Sequence, residues 1–210
     1  GMTEVIKDRL ELRDDTPLAP RQIAHAIFAL DPLCLVHGVF FADSAWPGQP
    51  KVSRAITGVV EAHDVAEAVS GGVKFDRVRH SLGEAEGGTA EGYGTVPFHR
   101  MEFTAREIEA TFVLDLAQLR AYGLPDGARD LLEALALWEV RFLIEGGMRL
   151  RTACDLEPVD SSALDDLPGT PELEDRIGAG IASSGDLMPT KGPIEVIWSG
   201  GKAKTPKGPK

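Results

Sequence analysis

The sequence predicts an α+β domain on the β-α-β-β-α-β, ferredoxin-like plan, with a long inserted hairpin or loop and a poorly ordered C-terminal tail. Three observations carry this. Strand-forming runs alternate with helical patterns from Thr16 to Glu157. A polar excursion, Ser70–Arg100, holds seven glycines and interrupts the strand pattern. From Pro158 onward the composition turns to Pro, Gly, Ser and Asp. The domain is therefore read as 16–157 with an insertion at 70–103, followed by a tail at 158–210 that holds one late strand at 193–199.

The elements follow in chain order. Residues 2–15 are charged and only ambiguously helical. In "TPLAPRQIAHAIFALD" Thr16 can cap, Pro17 suits a first helical position, and Ile23, Ile27 and Leu30 recur at helical spacing. Pro32 disfavours helical geometry at Asp31 and ends the pattern. "LCLVHGVFFA", Leu33–Ala42, is a nearly continuous apolar run and reads as a buried strand. A second strand is expected around Ile56–His63, although the start of "VSRAITGVVEAHDVAEAV" also fits a helix. After the excursion, Ile108, Ala110, Phe112 and Leu114 alternate with polar or exposed-type residues, as in a half-buried strand. The clearest helix lies in "PDGARDLLEALALWEVRFLIEGG", with Leu131, Leu135, Trp138 and Phe142 on its apolar stripe and Gly146 or Gly147 as its stop. "MRLRTACDLE" closes the domain as a strand with Arg149 and Arg151 on one face.

Composition narrows the function. The chain has 210 residues, 43% of them hydrophobic, enough for a real core. Its net charge of -11 argues against non-specific nucleic-acid binding by the whole surface. The excess is smaller in the middle: residues 51–152 hold 12 basic and 16 acidic side chains. Cys34 and Cys154 stand far apart among apolar residues, which suggests buried free thiols and neither a disulfide framework nor a zinc site. With no signal peptide or long apolar run in view, a cytoplasmic protein is expected. Gly1 ahead of Met2 reads as a remnant of tag cleavage.

Candidate chemistry is sparse. The five histidines show no metal spacing, and no cofactor or metal is expected. His80 and His99 both fall in the excursion and would be the acid–base pair of a ribonuclease, if the fold joined them. "SGGVK" lacks the spacing of a nucleotide-binding P-loop, but its glycine N–H groups beside Lys74 would suit a phosphodiester. Otherwise it is the strand of a hairpin. Arg149 and Arg151 suit phosphates, or else pair with carboxylates such as Glu109 or Asp115. Asp165 and Asp166 read as solvation.

Several stretches taken in order carry a resemblance. "HGVFFA", "RAITGVVEAHDV", "SGGVK", "GYGTVPFHR", "LDLAQLRAYGL" with "LLEALALWEVRFLIEGG", and "MRLRTACDLE" span about Asp31 to Glu157. This order is similar to the C-terminal part of the CRISPR-associated RAMP proteins that form the backbone (the Cas-seven role) of type I-G, formerly I-U, effector complexes. The resemblance implies a modified RNA-recognition fold, no nuclease activity of its own, and polymerisation along a CRISPR RNA. Its partners would be that RNA, copies of itself and other effector-complex subunits, with no membrane. The excursion would be an inserted arm that touches RNA or a neighbouring subunit. Lys74 and Arg77 would then meet phosphates, and His99 and Arg100 would hold the arm's base. Arg149 and Arg151 would present charge from the sheet edge, and Tyr93, Phe98 or Phe103 would stack on a base. A protein–protein module without RNA binding is the main alternative, favoured by the acidity and the long tail.

Overall fold

A computed structural model describes residues 7–8, 19–42, 46, 48–76, 94–150 and 154–188. The chain divides into two compact units, Gly58–Thr111 and the remainder.

In the larger unit helix α1 spans Pro20–Leu30, where Pro20 takes the first-turn position that needs no N–H donor. Thr16 and Pro17 lie outside the described residues. The helix buries Ile23, Ala24, Ile27 and Phe28 and stops at Asp31, whose backbone is extended ahead of Pro32.

Leu33–His37 is not the buried strand that the apolar run suggested. It is a short helix, α2, and only Val39–Phe40 form strand β1, paired with β2, Lys51–Val52. Local chemistry restarts the helix. The Asp31 carboxylate accepts the Leu33 N–H at 3.0 Å, while its other oxygen lies 3.2 Å from the Cys34 sulfur. Gly38 then turns the chain with φ +81°, and a Cβ there would meet Val52 O and Arg54 N at 2.9 Å.

Strands β3, Ile56–His63, and β6, Glu107–Leu114, pair with each other. Both spans match the sequence reading; on β6, Ala110, Phe112 and Leu114 are half-buried as expected, while Ile108 is exposed. Asp115 then caps α3, Leu116–Ala121, accepting the Gln118 N–H at 2.9 Å. The buried Tyr122 hydroxyl lies 2.8 Å from both Leu35 O and Ser53 O, tying α2 and the loop after β2 to this segment. Burial pushes that hydroxyl above its usual range; the nearby Asp115 charge adds to the shift, and the Gln118 side chain opposes it.

Helix α4, Asp126–Glu145, supplies the core with Ala128, Leu131, Leu132 and Ala136. Phe142, expected on the buried stripe, is 63% exposed. It stacks on the half-buried Trp138, one turn earlier, with centroids 5.0 Å apart. The apolar spacing runs to the end of the helix, but packing there covers Val140 and leaves Phe142 in solvent.

Strands β7, Met148–Leu150, and β8, Cys154–Leu156, form a small hairpin. Part of the segment read as a tail is a helix instead. α5, Thr170–Ser183, packs on α4. Its Gly180 meets Leu131 so closely that a Cβ would stand 2.8 Å from the leucine Cβ, and Arg176 reaches Glu133 at 3.2 Å. Glycines and a buried Leu173 let the two helices approach where the polar composition suggested none. The late strand at 193–199 lies outside the described residues. The ferredoxin-like plan calls for one four-stranded sheet; among the described residues the strands pair only two by two.

The smaller unit is a two-stranded ribbon. Beyond β3 the chain continues as β4, Ala66–Asp76, and it returns as β5, Gly94–Thr104, ahead of β6. Eleven residue pairs join β4 to β5, about 35 Å of ribbon. The junction is a jog. Asp64 turns with φ +51°, the Arg106 guanidinium lies 2.6 Å from the Asp64 carboxylate, and the Arg106 N–H donates to His63 O at 3.1 Å. Both ends of the excursion Ser70–Arg100 are thus ladder-paired strand rather than loop. Its middle, 77–93, lies outside the described residues.

Candidate nucleic-acid interface

The register of the ribbon sorts its side chains. Directly opposite residues of an antiparallel pair share a face, and neighbours along a strand alternate. One face carries Phe98 opposite Gly72, Arg100 opposite Ser70 and Glu102 opposite Ala68. The other carries Pro97 opposite Val73, His99 opposite Gly71, Met101 opposite Val69 and Phe103 opposite Glu67.

The first face is built around a ring. Gly72 leaves the space that Phe98 fills: a Cβ there would stand 3.2 Å from the tip of the ring. Aromatic residues opposite strand glycines restore the contact that the missing side chain forfeits. The Arg100 guanidinium lies 5.0 Å from the Phe98 ring centroid, a cation–π distance, and 3.9 Å from the Glu102 carboxylate. Phe98 and Arg100 are both exposed. The result is a planar cation set over an aromatic ring in solvent, the kind of pair against which an unstacked base can lie. The cation also lies ready for a phosphate.

The second face is apolar and open. Val69 is 72% exposed, Met101 61% and Phe103 67%. His99 sits among them, on the side away from Phe98. The sequence reading put Phe98 and Phe103 in one group of stacking candidates; the pleat puts them on opposite faces.

The other expected residues scatter. Lys74 pairs through its backbone with Val96 near the far end of the ladder. Arg77, Tyr93, His80 and Arg151 lie outside the described residues. Arg149 is exposed on β7, opposite Asp155 in the hairpin register, and belongs to the larger unit. The carboxylates suggested as its partners have other roles: Glu109 lies 3.7 Å from His63, and Asp115 caps α3. The sequence reading took the glycines of "SGGVK" for phosphate contacts and passed over Glu102, although the period-two spacing of Phe98, Arg100 and Glu102 would have grouped it with the other two.

Other chemistry is accounted for locally. His37 lies 2.9 Å from Glu139, and His25 contacts Gly123 O at 3.2 Å. The Cys34 thiol is pushed up to about 11 by burial, with the Asp31 hydrogen bond and charge adding to it. Among the described residues no group of three His, Cys, Asp or Glu converges as a metal site would require, and no helix is long and apolar enough to cross a membrane.

No curated protein matches the chain. Residues 4–67 match the family model described as CRISPR-associated protein GSU0053 (Cas_GSU0053), which links the chain to CRISPR-associated proteins over α1, α2, β1–β3 and the start of β4.

Proposed function

We propose that this chain is a non-catalytic CRISPR RNA-binding subunit, acting in the backbone of an RNA-guided effector complex of the type I-G kind alongside copies of itself. The observation that carries the reading is the Phe98–Arg100 pair, held in solvent on one face of a ribbon that follows directly on the segment, residues 4–67, similar to a CRISPR-associated protein. A stacking ring and an adjacent guanidinium engage single-stranded nucleic acid without reading its sequence. Lys74 and the arginines Arg77, Arg149 and Arg151 would add phosphate contacts.

The test is a salt titration of fluorescent CRISPR-repeat RNA on wild type and on Phe98→Ala and Arg100→Ala. Arg100→Ala should flatten the log-affinity against log-salt slope by about 0.7, and Phe98→Ala should weaken binding at every salt. Unchanged binding in both, with intact melts, would favour a protein–protein module, which the open apolar face of the same ribbon supports. Shortening of the RNA in EDTA, abolished by His99→Ala, would favour a ribonuclease.

A further inference from the structure

A two-stranded ribbon with both faces in solvent is at best marginally stable alone. Here every β3 residue after Ile56 is exposed, and Val59, Val65, Val69, Met101 and Phe103 stand in solvent near the ribbon's base. No third strand joins β4 or β5 among the described residues. The edges differ, because Pro97 removes one donor from β5 while β4 has no proline. An uninterrupted open edge is a template for another strand. The base is also acidic. Residues 58–69 and 102–111 hold six carboxylates, Glu61, Asp64, Glu67, Glu102, Glu107 and Glu109, against one guanidinium, Arg106, which Asp64 already holds. The surface therefore suits an extended segment that is both apolar and basic.

The sequence contains such a segment. Residues 189–210 hold five lysines and one glutamate, and "IEVIW" places Ile194, Val196 and Trp198 at alternate positions. We propose that residues 189–210 of a second copy dock on the base of the ribbon, the "IEVIW" stretch along the β4 edge and the lysines against the carboxylates. The proposal rests on the reading that copies of this chain assemble. It adds which surfaces meet, and a ribbon covered this way keeps its Phe98–Arg100 pair free for RNA.

Charge exchange in the full-length chain, with no RNA present, tests it. One variant carries Lys202→Glu, Lys204→Glu and Lys207→Glu; another carries Glu61→Lys, Glu107→Lys and Glu109→Lys. Wild type should sediment in low salt at twice 22.5 kDa or more, and each variant alone near 22.5 kDa. Mixing the two variants should restore the larger species, because each segment then meets a ribbon of opposite charge on the other chain. A mixture that stays at 22.5 kDa, with both variants folded by thermal melt, overturns the proposal. So does a wild-type chain that is monomeric in low salt, which would leave no second copy to dock. A second measurement needs no variant to fold: synthetic peptide 189–210 added in excess should dissociate the wild-type assembly, and failure to do so also overturns it. RNA affinity is measured separately, so an assembly that fails while RNA still binds leaves the RNA reading standing.

Discussion

Phe98 lies across the ribbon from Gly72, with its ring filling the place where a side chain at Gly72 would start. The absence of a Cβ at one position sets the orientation of the aromatic at the other. Gly72→Val should therefore displace the ring and loosen Arg100 from it. RNA affinity should fall by an amount close to that of Phe98→Ala, on the order of 1–3 kcal/mol for a stacked base. Melting of the larger unit should not change. Fluorescence anisotropy with single-stranded RNA, beside a thermal melt, checks it; wild-type affinity would show that the ring's seat does not matter.

The α4–α5 contact predicts a different kind of sensitivity. A Cβ at Gly180 would stand 2.8 Å from that of Leu131, so Gly180→Val should cost roughly 1–3 kcal/mol by overpacking. Phe142→Ala, at an exposed position, should cost less than about 1 kcal/mol. Urea denaturation of both variants compares them, and a larger loss at Phe142 would mean that the helix end is covered.

Tyr122→Phe removes the single hydroxyl proton that Leu35 O and Ser53 O share and leaves the buried Leu35 carbonyl short of a donor. A loss of about 1–3 kcal/mol is expected in the same denaturation experiment. The pH dependence has a definite sign. The folded-state value is raised, so the stabilisation is fully present below the unfolded-state value, near 10, and is lost as pH rises beyond it. Tyr122→Phe should lack that part of the alkaline loss.

Cys34 gives a chemical readout of α2. Its thiol is raised from 9.0 to about 11, so it stays protonated at pH 8 and should alkylate far more slowly than a free thiol. Asp31→Asn removes the charge and should speed alkylation. The stability linked to this thiol is intact below pH 9 and falls as pH rises from there to about 11. Iodoacetamide labelling followed by peptide mass analysis at several pH values checks the rate; labelling of Cys34 as fast as a model thiol at pH 8 would contradict it.

Period and punctuation in the sequence by themselves determined the α4 helix, the stop of α1 at Asp31, and strand β6. In each, one strong local signal agreed with the tertiary environment. Apolar content alone did not decide Leu33–His37, because a short apolar run fits a buried strand or a buried helix equally well, and the Asp31 side chain settled it. Glycine content left both ends of the excursion open between hairpin and loop, and the ladder decides for the hairpin. Gly71 and Gly72 look like loop residues until bulky partners face them across a ladder, and those partners lie 28 and 26 positions away in the chain. Only the tertiary structure could supply them, and it also placed Phe98 beside Arg100 and apart from Phe103. α5 was masked by the Pro, Gly, Ser and Asp around it, although Pro171 in its first turn and Leu173 and Ile177 at helical spacing carry a helix signal; Gly180 then lets the two backbones approach. Spacing along the chain sets which residues share a face; which faces meet, and which stay open, depends on partners distant in sequence.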